Sequence, residues 1–207
     1  GGTINGIRGR LPYLHQLGVT TLWIGPVFKQ RLRLDSYHGY GIQDFLEVDP
    51  RFGTRDDLVA LVRAAHGSGM CILLDIIVNH SGDNWGYTPP QGGPGAVQNE
   101  PSFKPWPDFY GNPDTAQAAR WSLTWRDERQ RGFAQSAADI TRRDDGVWPR
   151  ELQAPQLYTR AGMGSLGAGD IRDAYAEHKR TDFYALKDFS LDVGPTLNFL
   201  ADIYKYW

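Results

Sequence analysis

Cysteine is nearly missing from this chain. Cys71 stands alone among 207 residues, which excludes an internal disulfide. It opens an apolar run and is expected to be a small core side chain. No stretch reaches the roughly 18 apolar residues that a membrane helix needs. Neither a Met nor a charged-then-apolar leader opens the chain, which starts Gly1-Gly2-Thr3, so an upstream piece is expected to be absent here. Basic runs are missing too. The 22 Lys and Arg and 24 Asp and Glu are dispersed, with a net charge of −2, which speaks against nucleic acid as a partner. What is abundant is flat or turn-forming: seven Trp, 24 Gly and 13 Pro, a mixture suited to a loop-rich enzyme with rings available for stacking.

The first part of the chain has a helix–strand rhythm. Ile4, Ile7, Leu11, Leu14 and Leu17 recur at helical spacing, with Pro12 predicting a late start or a bend and Gly18 a stop. Val19 to Ile24 reads as a short strand closed by Gly25-Pro26. Thr54-Arg55-Asp56-Asp57 resembles a capping box, opening a helix whose apolar face is Leu58, Leu61, Val62 and Ala65. Cys71 to Val78 is apolar except for Asp75, as expected of a strand buried on both faces of a parallel sheet. Strand, helix, strand is a βαβ unit, the building block of a barrel or a doubly wound sheet. From about Gly82 to Asp188 the rhythm stops, and the segment is too long for an ordinary loop. It reads as an inserted, irregular subdomain. A helix is expected to resume from Pro195.

The chemistry concentrates at Asp75-Ile76-Ile77-Val78-Asn79-His80. In a parallel barrel, functional side chains sit at the C-terminal ends of strands, where Asn79 and His80 fall. Asp75 lies within the apolar run and needs a cation or several donors, because a lone buried carboxylate is costly. Spacing by itself favours a structural Asp and a satisfied His.

Asp-x-x-x-Asn-His closing a strand resembles the first signature of the α-amylase family of glycoside hydrolases. Further pieces follow in that family's order: Leu17-Gly18-Val19-Thr20, Leu22-Trp23-Ile24-Gly25-Pro26, His38-Gly39-Tyr40 with Asp44, Asp49-Pro50, Phe52-Gly53-Thr54, Lys187-Asp188-Phe189 and Tyr204-Lys205-Tyr206-Trp207. The resemblance implies an α/β fold, an incomplete (β/α)8 TIM barrel with an irregular subdomain inserted after barrel strand three. Residues 1–81 would be barrel, 82–190 the insertion and 191–207 a return to the barrel. It implies a retaining glycosidase acting on α-1,4-glucans such as starch or maltooligosaccharides, with two carboxylates roughly 5–5.5 Å apart. It further implies that Tyr40 stacks on the sugar, that His80 hydrogen-bonds a sugar hydroxyl and that Asp75 supports the site. Asn79 and Asp188 would be oxygen ligands of a structural calcium. For Asn79 a hydrogen bond tying the insertion to the barrel is an equal alternative. No organic cofactor is implied, and the partner is an α-glucan.

In that family the nucleophile and the acid/base lie on later strands, so no residue here is assigned those roles. The segment alone is expected to be inactive. Transglycosylation or sugar isomerisation of the trehalose synthase kind remains open, as does a non-catalytic sugar-binding module. Several other features are set aside. Gly162-Met163-Gly164-Ser165-Leu166-Gly167 fits a nucleotide-binding glycine pattern, but with no clear strand before it the pattern reads as a flexible loop. Trp85, Trp106, Trp121, Trp125 and Trp148 suit either subsites or core.

Overall fold

The structure is a computed structural model that describes residues 2–31, 36–91, 96–103, 121–128, 132–135, 139–164, 172, 181–192 and 194–207. The first helical pattern divides in two. In α1 (Ile4–Arg8) the Thr3 side chain caps the start, accepting from the Gly6 N–H at 3.0 Å. Helix α2 (Leu11–Gln16) begins afresh with Pro12 in its first turn, where the missing N–H has no helical partner to lose. Gly18, at φ +82°, then turns the chain into β1 (Thr21–Ile24).

Two antiparallel strands follow, β2 (Phe28–Gln30) and β3 (Ile42–Val48). Phe28, Ile42 and Phe45 are fully buried, so the pairing is held by core packing rather than by a clean alternation. Helix α3 (Arg55–Gly67) carries the capping box read from the sequence: Thr54 accepts from Asp57 N–H while Asp57 accepts from Thr54 N–H. Its buried Leu58, Leu61 and Ala65 pack with Ile4, Leu11, Ile24 and Met70. Burying each Leu contributes about 1.5–3 kcal/mol. The helix returns the chain to β4 (Cys71–Leu74), which pairs in parallel with β1 from Thr21↔Cys71 to Ile24↔Leu74.

Three expectations are corrected here. The apolar run is a strand only over Cys71–Leu74, and it is not buried on both faces. Cys71 is exposed, and so are Trp23 at 75% and Leu73 at 56%. The pair is two-stranded, and α3 covers one face while no element among the described residues covers the other. Nor is the stretch after His80 wholly irregular. After β5 (His80–Ser81), strands β6 (Trp85–Thr88), β7 (Ser122–Asp127) and β8 (Gly132–Gln135) form a three-stranded antiparallel sheet. All four β6 residues are buried, so it shows no period-two pattern.

Trp85, Tyr87, Trp125 and Tyr158 form the fully buried centre of that second core. Trp85 meets Tyr87 and Tyr158 edge-on, with ring centres 4.8 and 5.3 Å apart. Strand β9 (Lys187–Asp188) pairs antiparallel with β5, and α4 (Gly194–Tyr206) closes the chain. Leu200 and Ile203 of α4 belong to the second core, while Trp207 packs against both cores. Among the described residues there is one parallel strand pair with its crossover helix, and no closed barrel.

Candidate functional site

The chain leaves β4 at Asp75, whose N–H still donates to Ile24 O at 2.9 Å, and then runs free of strand pairing to His80. Ile77 is held by α4: its N–H donates to the Tyr204 hydroxyl at 3.0 Å, and that hydroxyl donates to Ile77 O. A second segment, residues 36–41, crosses the same end. Gly39 is obligatory there. It sits at φ +89°, and a Cβ on it would lie 2.6 Å from Pro26 O, just after β1. Gln30, fully buried, accepts from the Gly41 N–H at 3.1 Å and fixes the end of the segment.

These constraints bring Tyr40, Asp75 and His80 together. The Tyr40 hydroxyl donates to Asp75 Oδ2 at 3.1 Å. His80 Nε2 lies 3.0 Å from Tyr40 O, a carbonyl that can only accept, so Nε2 carries the proton. The Tyr40 ring is 40% exposed and lies nearly parallel to the His38 ring, centres 5.8 Å apart. The bond to Asp75, and then its charge, hold the Tyr40 hydroxyl above the usual phenol range. Burial pushes His80 below the usual imidazole range, outweighing its hydrogen bond to Tyr40 O, and His38 adds to the lowering. His80 is therefore a neutral imidazole of one tautomer at neutral pH.

Asn79 and Asp188 also meet, with Asn79 Nδ2 donating to Asp188 Oδ1 at 2.7 Å. The backbone reinforces this, since Phe189 N–H donates to Asn79 O at 2.8 Å. Beneath Asp188 lies a buried polar cluster. Asp182 accepts from the Tyr87 hydroxyl at 2.7 Å and from Asp188 N–H at 3.0 Å. Lys187 is fully buried, donates to Asn99 O at 2.7 Å, and has its ammonium 5.0 Å from the Trp85 ring centre. Burial and then the charge of Asp182 push the Asp188 carboxyl well above the usual range, against the pull of Asn79.

A buried carboxylate suits a hard cation, but Asn79 turns its amide nitrogen toward Asp188, so holding a cation here would require the amide to present its oxygen instead. The pair is a partial ligand set: among the described residues no three His, Cys, Asp or Glu gather as a metal site. Other sequence candidates resolve differently. Trp85 and Trp125 are core, Trp121 and Trp148 pack partly buried against it, and Trp106 lies outside the described residues. The glycine pattern is no flexible loop at its start. Gly162 pairs with Ser102, and a Cβ on Gly164 would meet Thr181 Oγ1 at 2.1 Å, so these glycines answer to close packing. Residues 165–170 lie outside the described residues.

Phe183 and Tyr184 escaped the sequence reading. Phe183 stacks on His80, ring centres 6.5 Å apart and planes 20° from parallel. The signal available was an adjacent aromatic pair just before Lys187-Asp188.

Residues 1–163 match the family described as "Alpha amylase, catalytic domain". Over 80 residues the chain is 49% identical to Alpha-amylase 2 of Dictyoglomus thermophilum, a match covering 39% of this chain and 14% of that protein. It is 43% identical over 81 residues to Alpha-amylase SusG of Bacteroides thetaiotaomicron, covering 39% of this chain and 11% of that one. The crystal structure of an α-amylase from Geobacillus thermoleovorans, complexed with acarbose, superposes with a TM-score of 0.54 at 22% identity. That superposition covers 99% of this chain and 31% of the other, and at such identity it bears on fold only.

Proposed function

The chain belongs to the α-amylase catalytic-domain family, whose fold is a (β/α)8 barrel, and on that premise we propose that it carries the sugar-orienting part of a retaining glycosidase acting on α-1,4-glucans such as starch or maltooligosaccharides. The observation that carries this reading is the joint Tyr40–Asp75–His80 geometry at the C-terminal end of β4. An exposed ring is held by its own hydroxyl at one end and by its backbone carbonyl at the other. Such a ring is pre-organised for a sugar face, so little conformational freedom is lost on binding.

In this reading Tyr40 stacks on the glucose unit at the reactive subsite. His80, neutral and with Nε2–H already aimed at the Tyr40 carbonyl, shares that proton with a sugar hydroxyl arriving beside the ring. Asp75 is a positioning residue that acts through Tyr40. Retention needs a nucleophile and an acid/base roughly 5–5.5 Å apart, and none of the carboxylates of this chain is assigned either role. In this reading residues 1–81 and 191–207 belong to the barrel and 82–190 form the inserted domain, which packs onto barrel residues Phe28, Ile42, Phe45, Ile77, Leu200 and Ile203 in one shared core. Asn79 and Asp188 would hold a calcium ion at the junction, completed by carbonyl and water oxygens. Its role is to neutralise the buried carboxylate and fix the strand that faces His80.

Titration of maltoheptaose, followed by intrinsic fluorescence, tests the sugar site. Tyr40→Ala is expected to weaken binding by roughly tenfold, while Tyr40→Phe, which keeps the ring, loses much less. Equal affinity of wild type and Tyr40→Ala, or no saturable binding by the wild type, overturns the reading.

A further inference from the structure

We propose that His38 is the positioning residue of Tyr40, and that a proton taken up by its ring in acid releases Tyr40 and weakens sugar binding. The consequence for binding rests on the reading of Tyr40 as the sugar-stacking ring.

Tyr40 is held at three polar points. Its hydroxyl donates to Asp75, and its carbonyl accepts from His80 Nε2. The third point is its N–H, which donates to His38 Nδ1 at 3.0 Å. His38 also lies beside the Tyr40 ring, centres 5.8 Å apart and planes 23° from parallel. Both contacts come from an exposed residue, so core packing does not require them. Gly39, at φ +89°, closes the short turn in which the His38 side chain reaches the N–H two residues on.

The two histidines make opposite demands on protonation. A carbonyl only accepts, so His80 Nε2 must carry a proton, which it does in the neutral tautomer seen here and in the charged ring alike. A backbone N–H only donates, so His38 Nδ1 must be bare, and only the neutral ring with its proton on Nε2 meets that demand. A proton added at Nδ1 would set two hydrogens against each other across 3.0 Å. The His38 ring then has to turn away, and Tyr40 loses the bond and its ring neighbour together. Imidazole is the side chain that ordinarily changes charge between about pH 5 and pH 8. The groups facing His38 are Tyr37, edge-on with ring centres 5.5 Å apart, Tyr40, and His80, on which it bears electrostatically. Arg31 and Asp83 line a cavity with it, and Asp75 reaches it through Tyr40. Arg31 is paired with Glu128 and Asp83 with Arg126, so each already has a counter-ion of its own.

Amide NMR and maltoheptaose titration of the full chain, at about pH 8 and about pH 5, test this. In the wild type the Tyr40 amide proton is expected to move upfield in acid as its bond is lost. Maltoheptaose affinity should fall about two- to tenfold, the worth of one hydrogen bond. His38→Asn keeps an acceptor for the N–H two residues on, as in an Asx-turn, but takes up no proton. It should lose most of the acid response in both readouts. His38→Phe keeps a ring beside Tyr40 without an acceptor, so it should bind weakly at both pH values. A packing role alone would shift melting temperatures and leave the pH profiles of wild type and variants parallel, which overturns the proposal. An acid response as large in His38→Asn as in the wild type, or His38→Phe binding as tightly as the wild type at about pH 8, also overturns it. Tyr40→Ala, run alongside, separates the two readings. If it binds as the wild type does, or the wild type binds no sugar at about pH 8, the sugar site falls, and the Tyr40 amide alone decides whether His38 holds Tyr40.

Discussion

His80 and Asp188 are cross-strand partners in the short antiparallel pairing of β5 with β9. A residue that faces the candidate sugar site is thereby registered against a buried carboxylate from a segment more than a hundred residues away, since Asn79 and Asp188 are separated by 109 positions. Whatever stabilises Asp188 therefore stabilises the placement of His80.

Calcium is expected to act at this junction. Millimolar calcium should raise the melting temperature and chelation should lower it, with stabilisation of about 2.7 kcal/mol at a hundredfold excess over Kd. Asp188→Asn keeps an acceptor for Asn79 but removes the charge, and it should abolish the calcium response. Thermal unfolding with and without chelator measures this. An identical melting temperature in both leaves the Asn79–Asp188 hydrogen bond as the tie.

The parts legible in the sequence are those set by local rules. The Thr54 capping box, the α3 face and the restart at Pro12 each depend on residues within a turn or two of one another. The Tyr40–His80 contact was legible only through family resemblance, because its partners are 40 positions apart and nothing in spacing joins them. The β6–β7 pairing was hidden for the same reason, and because Trp85, Gly86, Tyr87 and Thr88 are buried without alternation. Cys71 was misread because an apolar run reports hydrophobicity, not which faces find a covering layer. Phe183 and Tyr184 were missed since exposed aromatics carry no periodic signal.

The cap of α3 gives a local stability prediction. Thr54 Oγ1 accepts from the Asp57 N–H at 3.1 Å, and Asp57 also accepts from Asn5 Nδ2 at 2.7 Å, linking the α3 start to α1. Thr54→Ala is expected to cost about 1 kcal/mol. Asp57→Ala is expected to cost more, because the link to Asn5 goes with the cap. In urea unfolding the double variant should be less destabilised than the sum of the singles, as for any pair in direct contact.

Gly162 gives a packing prediction. At φ +69° its Cβ would fall 2.3 Å from Pro101 O and 2.7 Å from Phe103 Cδ2. Its N–H donates to the Tyr87 hydroxyl at 3.0 Å, in the middle of the second core. Gly162→Ala combines a backbone penalty with overpacking, and about 2–5 kcal/mol of destabilisation is expected. Gly67→Ala, where nothing lies within 4 Å of the added carbon, is the control and should change stability little. Comparable melting temperatures for the two variants would contradict the packing account.

Asp49 gives the pH dependence. It is fully buried where β3 leads into α3, and both its oxygens are occupied: Oδ2 by Gln30 N–H at 3.0 Å and Arg51 Nη2 at 2.7 Å, Oδ1 by Arg51 N–H and Nε at 2.9 Å. Burial pushes its carboxyl up, but the Arg51 side chain and the two backbone donors outweigh burial and hold it below the usual range. The folded protein therefore binds this proton less readily than the unfolded chain. The resulting stability is complete above the unfolded value of about 3.9 and is lost as pH falls through the lower folded value. Asp49→Asn removes the charge and opposes an N–H to donors already in place. At about pH 7 it should destabilise by about 1.5–3 kcal/mol, the range for hydrogen bonds to a charged group. Between about pH 5 and pH 2 the wild type should lose more stability than the variant, so that the two converge in acid. Urea unfolding across that range reads both quantities, and parallel curves for wild type and variant would show that Asp49 does not drive the acid loss.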